Sequence, residues 1–270
     1  MQFERAKAAL AGTRFADFRT VEETGSTNAD MVEILRTQDP AEDRRPAVLV
    51  ADHQSAGRGR RDRTWDAPPG SSLLMSIGLP VGDIDRSRWP LVNAAVALAA
   101  VDAAPDLRIK WPNDLVEVGS GPGGADLKVG GILAELHEDL GGMGACMIVG
   151  IGLNLNWGQM PPELADTATS LDIILGGDVV ADVIVTDLLV SLDSKWLGML
   201  GRSAASIEPF VDAYRSRSTT IGRHVRVELD GDRELVGTAV DVDDSGALVV
   251  EGEDGARSTV TVGDVVHLRV

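Results

Sequence analysis

The sequence predicts an α+β protein: a mixed-sheet domain with flanking helices over residues 1–217, then a small all-β domain over residues 218–270. Three observations carry this prediction. Strand-length apolar runs alternate with helix-length periodic stretches up to about residue 214. After "RSRSTTIG" the pattern changes to short strand-like runs separated by tight turns. An apolar content of 44% over 270 residues supports one large core, or a large and a small one.

The elements follow in order. "MQFERAKAALAG" mixes charges into a helical pattern and lacks the apolar block of a secretory signal. "GSTNADMVEILRT" predicts a helix over 27–37, with Ser26 or Thr27 as cap, Thr27 and Asp30 at capping-box spacing, and Met31 and Leu35 on one face. Residues 46–52 and 71–80 read as buried strands, the second ended by Pro80, and 89–102 as an Ala-rich buried helix. Residues 107–118 and 128–138 read as paired strands joined by the flexible "GSGPGGAD", and 144–156 as a further apolar strand. Val180, Ile184, Leu188, Leu192 and Trp196 recur every four residues and predict a long helix, with a shorter one reaching Tyr214. The tail places strands near 225–229, 235–242, 248–250, 259–262 and 265–270, with turns at Asp230-Gly231, Ser245-Gly246 and Asp254-Gly255. There is no internal repeat, and the search for chemistry is confined to residues 20–160.

Composition excludes several functions. A net charge of −17 argues against nucleic-acid binding, whose affinity comes from neutralised phosphates. No apolar run reaches the ~20 residues of a membrane span. The single cysteine, Cys146, rules out internal disulfides and cysteine-cluster metal sites, and its apolar surroundings read as core. A cytoplasmic protein is the expectation. There is no GxxxxGK[ST], no GxGxxG after a strand and no GxSxG, and the four histidines lack ligand spacing.

Five stretches can carry chemistry. "HQSAGRGRRDRTW" (53–65) gathers Arg58, Arg60, Arg61 and Arg63 around Gly57 and Gly59. Glycines let loop amides approach an anion, guanidinium forks match phosphate or carboxylate oxygens, and Trp65 offers a flat surface to a base. A solvated loop is the plain alternative. In "IKWPNDL" (109–115) a strand leads to Lys110, Trp111 and Pro112, which force an extended or turn geometry, after which Asp114 can accept a hydrogen bond or ligate Mg²⁺; a Pro-Asn-Asp turn with a packed Trp is its alternative. In "LKVGGIL" Lys128 opens an apolar strand beside glycines, and either snorkels or serves a site. "VGIGLNLN" offers Gly150, Gly152 and Asn154, or else a bulge with Asn in a turn. "TGSTN" is explained by a helix cap alone.

Taken in order, "STN", "QSAGRGRRDRTW", "KWPNDL", "KVGGIL.E" and "GIGLNLN" resemble the biotin–protein ligases over residues 20–160, and the all-β tail resembles their small C-terminal domain. The resemblance implies a catalytic domain like that of class II aminoacyl-tRNA synthetases, with an SH3-like barrel after it. It implies two half-reactions. Biotin and ATP give biotinyl-5′-AMP and pyrophosphate, and a lysine of a biotin carboxyl carrier domain of an acyl-CoA carboxylase then takes the biotin and releases AMP. By motif, Ser26, Thr27, Asn28 and Gln54 would hold biotin's ureido end, with the backbone of Gly57 and Arg58, while Gly131, Gly150 and Leu153 line its pocket. Arg60 and Lys128 would bind the carboxylate and bridging phosphate, and Arg61 and Arg63 the outgoing phosphates. Trp65 and Asn154 would recognise adenine, with Asn113 also on the nucleotide, and Lys110 and Asp114 would join the catalytic group, Asp114 near Mg²⁺.

Asp62 stands where relatives often have glycine, and about 25 residues precede "STN", too few for the helix-turn-helix domain of some relatives. The expectation is a ligase without operator binding, a monomer or weak homodimer, in contact with neither nucleic acid nor membrane. A segment that folds around ligand is expected to be disordered or displaced without one, so residues 57–65 are predicted to be so. The alternatives are a lipoate- or octanoate-type ligase and a non-catalytic sensor of biotinyl-adenylate.

Overall fold

The computed structural model describes every residue except 1, 39–44, 62, 141, 143, 202–205, 230–232, 262 and 269–270. The chain opens with helix α1 (Glu4–Leu10), strand β1 (Asp17–Thr24), helix α2 (Thr27–Thr37) and strands β2 (Ala47–Gln54) and β3 (Ser72–Pro80). Helix α3 (Leu91–Ala103) precedes β4 (Arg108–Lys110), β5 (Asp114–Glu117), β6 (Leu127–His137) and β7 (Cys146–Asn154). Helices α4 (Leu171–Leu175), α5 (Ala181–Ser191), α6 (Leu197–Leu200) and α7 (Glu208–Arg217) follow, then β8 (His224–Glu228), β9 (Glu234–Val242), β10 (Leu248–Glu251), β11 (Arg257–Val260) and β12 (Asp264–His267).

The first seven strands form one mixed sheet in the order β1-β2-β3-β7-β6-β5-β4. Only β1 and β2 run parallel, because α2 carries the chain back between them; every other pair is antiparallel. Side chains alternate across the pleat, so the two faces hold separate clusters. Met31 and Leu35 of α2 cover Ala47, Leu49, Cys146 and Ile148 on one face. The larger core lies on the other face, where Val48, Val50, Ile77 and Val149 meet α3 and α5, and it continues into the tail through Val225, Ala239 and Leu248.

Three readings are corrected here. Residues 107–118 are a tight hairpin, not one strand: Pro112 breaks the ladder after a cis Trp111–Pro112 bond, and Lys110 faces Asp114 across β4 and β5. The long helix begins after Val180, which is 60% exposed, and passes through a π turn at Leu192–Trp196 before α6. Strand β1 was not read from the sequence because it is an exposed edge whose residues 19–23 show no buried alternation; the short α4 was also missed.

The tail is an antiparallel five-stranded sheet in the order β11-β10-β9-β8-β12, consistent with an SH3-like fold. It docks against the β4–β5 hairpin. Trp111 donates its backbone N–H to Thr220 Oγ1 (3.0 Å) and its Nε1–H to the Gly246 carbonyl (3.0 Å), while Thr219 N–H reaches the Ile109 carbonyl (2.8 Å). Nearby, Asp126 accepts from Arg223 (3.2 Å) and meets His267 Nδ1 at 3.3 Å. Of the five expected tail strands, β11 lies two residues early, and the Asp230-Gly231 turn and residues 269–270 fall outside the described residues. Among the described residues, no helix is long and apolar enough to cross a membrane.

Candidate active site

The cleft lies on the α2 face of the sheet, where strands β6 and β7 carry glycine instead of side chains. Gly131 and Gly152 face one another across the ladder. A Cβ on Gly152 would stand 2.5 Å from the Trp65 ring, and one on Gly150 would stand 2.5 Å from Asn28 Oδ1. Only glycine leaves room for both neighbours, and the result is a floored cavity of about 400 Å³.

One end of this cavity is a polar network. Ser26 sits in extended backbone at the N-cap of α2 but makes no capping bond with its side chain. The expected capping box is absent: Asp30 accepts from Thr24 Oγ1 (2.5 Å), and the helix's Thr27 N–H is taken by Gln54 Oε1 (2.8 Å) from the end of β2. Gln54 Oε1 also receives the Thr27 hydroxyl at 2.9 Å. Beneath them the fully buried Ser76 lies 2.7 Å from Thr27 Oγ1 and 2.6 Å from Asn28 Oδ1. With Thr27 donating to Gln54, the Ser76 proton serves Asn28, whose Oδ1 can only accept.

The centre is ionic. Lys128 Nζ meets Asp114 Oδ1 at 2.6 Å and stands 5.6 Å from the centroid of the Trp65 ring. Lys110 reaches the same wall from β4. Asn113 donates to the Ile132 carbonyl (2.9 Å) and accepts from Arg60 (3.0 Å), so the β4–β5 turn and the arginine segment are tied together.

The far end is the arginine segment itself. It forms a small hairpin: Arg58 bridges Thr64, Gly59 N–H donates to the Arg63 carbonyl (2.7 Å) and Trp65 N–H to the Gly57 carbonyl (2.9 Å). Arg61 takes a left-handed φ of 51° at the tip. Three guanidinium groups converge on the tail. Asp264 lies 3.2 Å from Arg60, 3.7 Å from Arg61 and 2.5 Å from Arg63. Arg60 also donates to the Gly263 carbonyl (3.3 and 3.2 Å) and Arg61 to the Glu228 carbonyl (3.0 Å). Burial lowers the proton affinity of Arg60 against the opposing pull of Asp264, yet a guanidinium stays charged in protein. Cations held by backbone and carboxylate oxygens in this way form a ready site for a polyanion.

The comparisons with known proteins fit that geometry. Residues 25–154 match the family described as Biotin/lipoate A/B protein ligase, and residues 220–268 match the Biotin protein ligase C terminal domain. A biotin–[acetyl-CoA-carboxylase] ligase of Mycobacterium tuberculosis is 36% identical over 96% of this chain and 92% of its own. The chain belongs to the biotin–protein ligase family. A second relative in the family, from Paracoccus denitrificans, is 30% identical over 90% of this chain and 97% of its own. Among solved structures, the biotin protein ligase of Aquifex aeolicus in complex with biotin and ATP superposes with a TM-score of 0.75 at 25% identity, covering 95% of this chain and all of that one.

The fold therefore brings Ser26, Thr27, Asn28, Gln54, Arg58, Arg60, Arg63, Trp65, Lys110, Asn113, Asp114, Lys128, Gly131 and Gly150 to one cleft. Four predicted residues stand elsewhere. Leu153 points into the core on the opposite face, because it follows Gly152 along the pleat. Asn154 is in phase with Gly150 and Gly152 but is buried beyond the end of the cavity, donating to the Thr169 carbonyl (3.0 Å) and accepting from Ser72 (3.3 Å). Gly57 forms the hairpin base, and Arg61 faces the tail. Trp65 lies on the Gly131–Gly152 floor with its Nε1 buried and unpartnered among the described residues. Residues 57–61 and 63–65 form a hydrogen-bonded hairpin, and residue 62 lies outside the described residues. Asp264, Gly263 and Glu228 lie beyond residues 20–160, where the motifs end; Ser76 and Glu135 lie within that range on apolar strands and belong to none of the predicted site positions. The one available signal was an aspartate opening the apolar run "DVVHL".

Proposed function

We propose that the chain is an ATP-dependent biotin–protein ligase acting on the biotin carboxyl carrier domain of an acyl-CoA carboxylase. The observation that carries this is the Lys128–Asp114 pair, set between the Thr27–Gln54 network and the Arg60–Arg63 hairpin. Biotin's ureido group fits the polar end and its carboxylate reaches Lys128. The carboxylate oxygen attacks the α-phosphorus of ATP, the bond to the β-phosphate breaks, and pyrophosphate leaves towards Arg63. The carrier lysine's amine then attacks the acyl carbon, loses a proton and expels AMP.

Both partners of the first step are anions, so repulsion is its main barrier. Fixed cations at the point where charge accumulates lower it without reorganising, and one such donor is worth ~2.7–4 kcal/mol. Mg²⁺, when bound, supplies further charge compensation on the phosphates. Asp114, which lines the cleft beside Lys128, would help to hold it through a carboxylate oxygen.

The division into a catalytic domain over 1–217 and a small domain over 218–270 belongs to this reading, as do a cytoplasmic setting and a monomer or weak homodimer. Asn154, although buried, remains the adenine-side candidate through the segment it anchors at Thr169. The C-terminal match supports biotin over lipoate. Purified protein should catalyse biotin-dependent pyrophosphate–ATP exchange with Mg²⁺ present, and transfer biotin to a carrier domain as a mass gain on one lysine. Folded protein without exchange refutes the proposal.

A further inference from the structure

Glu135 has no part in the chemistry above. It stands on β6 in the same phase of the pleat as Gly131 and Leu133, so it leaves the sheet on the cleft's side. It does not line the cleft, yet its carboxylate holds two residues that do. Asn28 Nδ2 donates to Glu135 Oε2 at 2.6 Å, and the Arg58 guanidinium meets the same carboxylate at 3.3 Å. These two partners come from different segments, the first turn of α2 and the first arm of the arginine hairpin.

The two contacts differ in kind. Asn28 is 4% exposed, fixed at its other end by Ser76 and wedged over Gly150, so its bond holds the Glu135 carboxylate in place. Arg58 is half exposed, with 52% of its side-chain surface open, so its ion pair is screened and easily exchanged with water. One anchored contact and one releasable contact make a latch. A rigid strut would bury both.

Resting on the ligase reading, we propose that Glu135 is a positioning residue that latches the hairpin over the cleft and so retains the acyl-adenylate. Retention matters because that intermediate is a mixed anhydride. Water adding to its acyl carbon breaks the acyl–oxygen bond, releases AMP and returns free biotin, and the ATP is spent for nothing. Each opening of the hairpin exposes the acyl carbon to water or lets the adenylate leave.

The test is a single turnover with labelled biotin and MgATP and no carrier, following the adenylate that stays with the protein against adenylate and AMP in the filtrate. E135A should lose adenylate about fivefold faster than wild type, and E135Q about twofold faster, because Gln still accepts from Asn28 but lacks the charge opposite Arg58. With carrier present, biotin transferred per ATP consumed should fall in the same order. A purely structural role would lower the melting temperature without moving that ratio. Wild-type retention and wild-type ratio in both variants overturn the latch. If E135A does not fold, E135Q alone decides by its twofold rise. A wild-type protein that makes no adenylate refutes the ligase reading, whereas one that makes and keeps it beside variants that do likewise refutes only Glu135.

Discussion

Acid should undock the tail through one histidine. His267 on β12 is largely covered where the tail meets the segment before β6, its Nδ1 3.3 Å from Asp126 Oδ2 and its Nε2 3.3 Å from Thr220 Oγ1. Burial lowers its pKa from 6.5 to about 4, and Lys110 and Arg223 push the same way. Asp126 opposes them, but Arg223 (3.2 Å), Thr219 (3.3 Å) and the Gly119 amide (3.1 Å) already share its carboxylate, so it does not prevail. The neutral ring fits the contacts, with Nδ1–H donating to Asp126 and Nε2 accepting from the Thr220 hydroxyl.

The folded pKa is below the unfolded one, so the unfolded chain binds more protons between them. His267 therefore contributes stability that is present above pH 6.5 and lost as pH falls towards about 4. The full shift integrates to ~3 kcal/mol, and residual solvent contact reduces this to about 2 kcal/mol between neutrality and about pH 4.5. Urea melts of wild type and His267→Asn at about pH 7.5 and about pH 4.5 measure it, since every other group titrates in both proteins. Wild type should lose about 2 kcal/mol more than the variant over that interval. An equal loss, or a wild type that resists acid better, would show that folding does not lower the histidine's proton affinity.

Lys128→Ala should reduce adenylate formation about 100- to 1000-fold in the exchange assay while the melt stays near wild type, because Lys128 is a surface-reaching side chain whose loss leaves Asp114 partly solvated. Gly152→Ala would drive a methyl into the Trp65 ring, 2.5 Å away; the KM for ATP should rise about tenfold, with a smaller effect on biotin, by steady-state kinetics. Asp264→Asn should raise the KM for ATP about threefold to tenfold by leaving three adjacent guanidinium groups without their shared carboxylate; an unchanged nucleotide KM would mean that the hairpin holds its shape without the tail.

What the sequence discloses here follows range. The fold class, the helix over 27–37 and most strands came from periods of two and 3.6 within one segment, and those are local properties. Pro112 was visible, but the apolar pattern on either side concealed that the chain reverses there, because a hairpin and a long strand share the same alternation. The "STN" stretch shows a subtler limit. Its residues suit a helix cap, and a sequence cannot tell whether a hydroxyl will satisfy its own helix or a neighbour. The structure resolves this with Gln54, which caps α2 from another strand and so frees Thr27 to join the network beside the cleft. The arginine hairpin makes the same point at longer range. Four cations in six positions stand out in an acidic chain, but the carboxylate that organises three of them lies some 200 residues later, and nothing in the local pattern of either segment names the other. A charged cluster therefore shows where an anion is wanted. The arrangement of its counter-charges, which decides whether that anion is a side chain or a substrate, comes only with the fold.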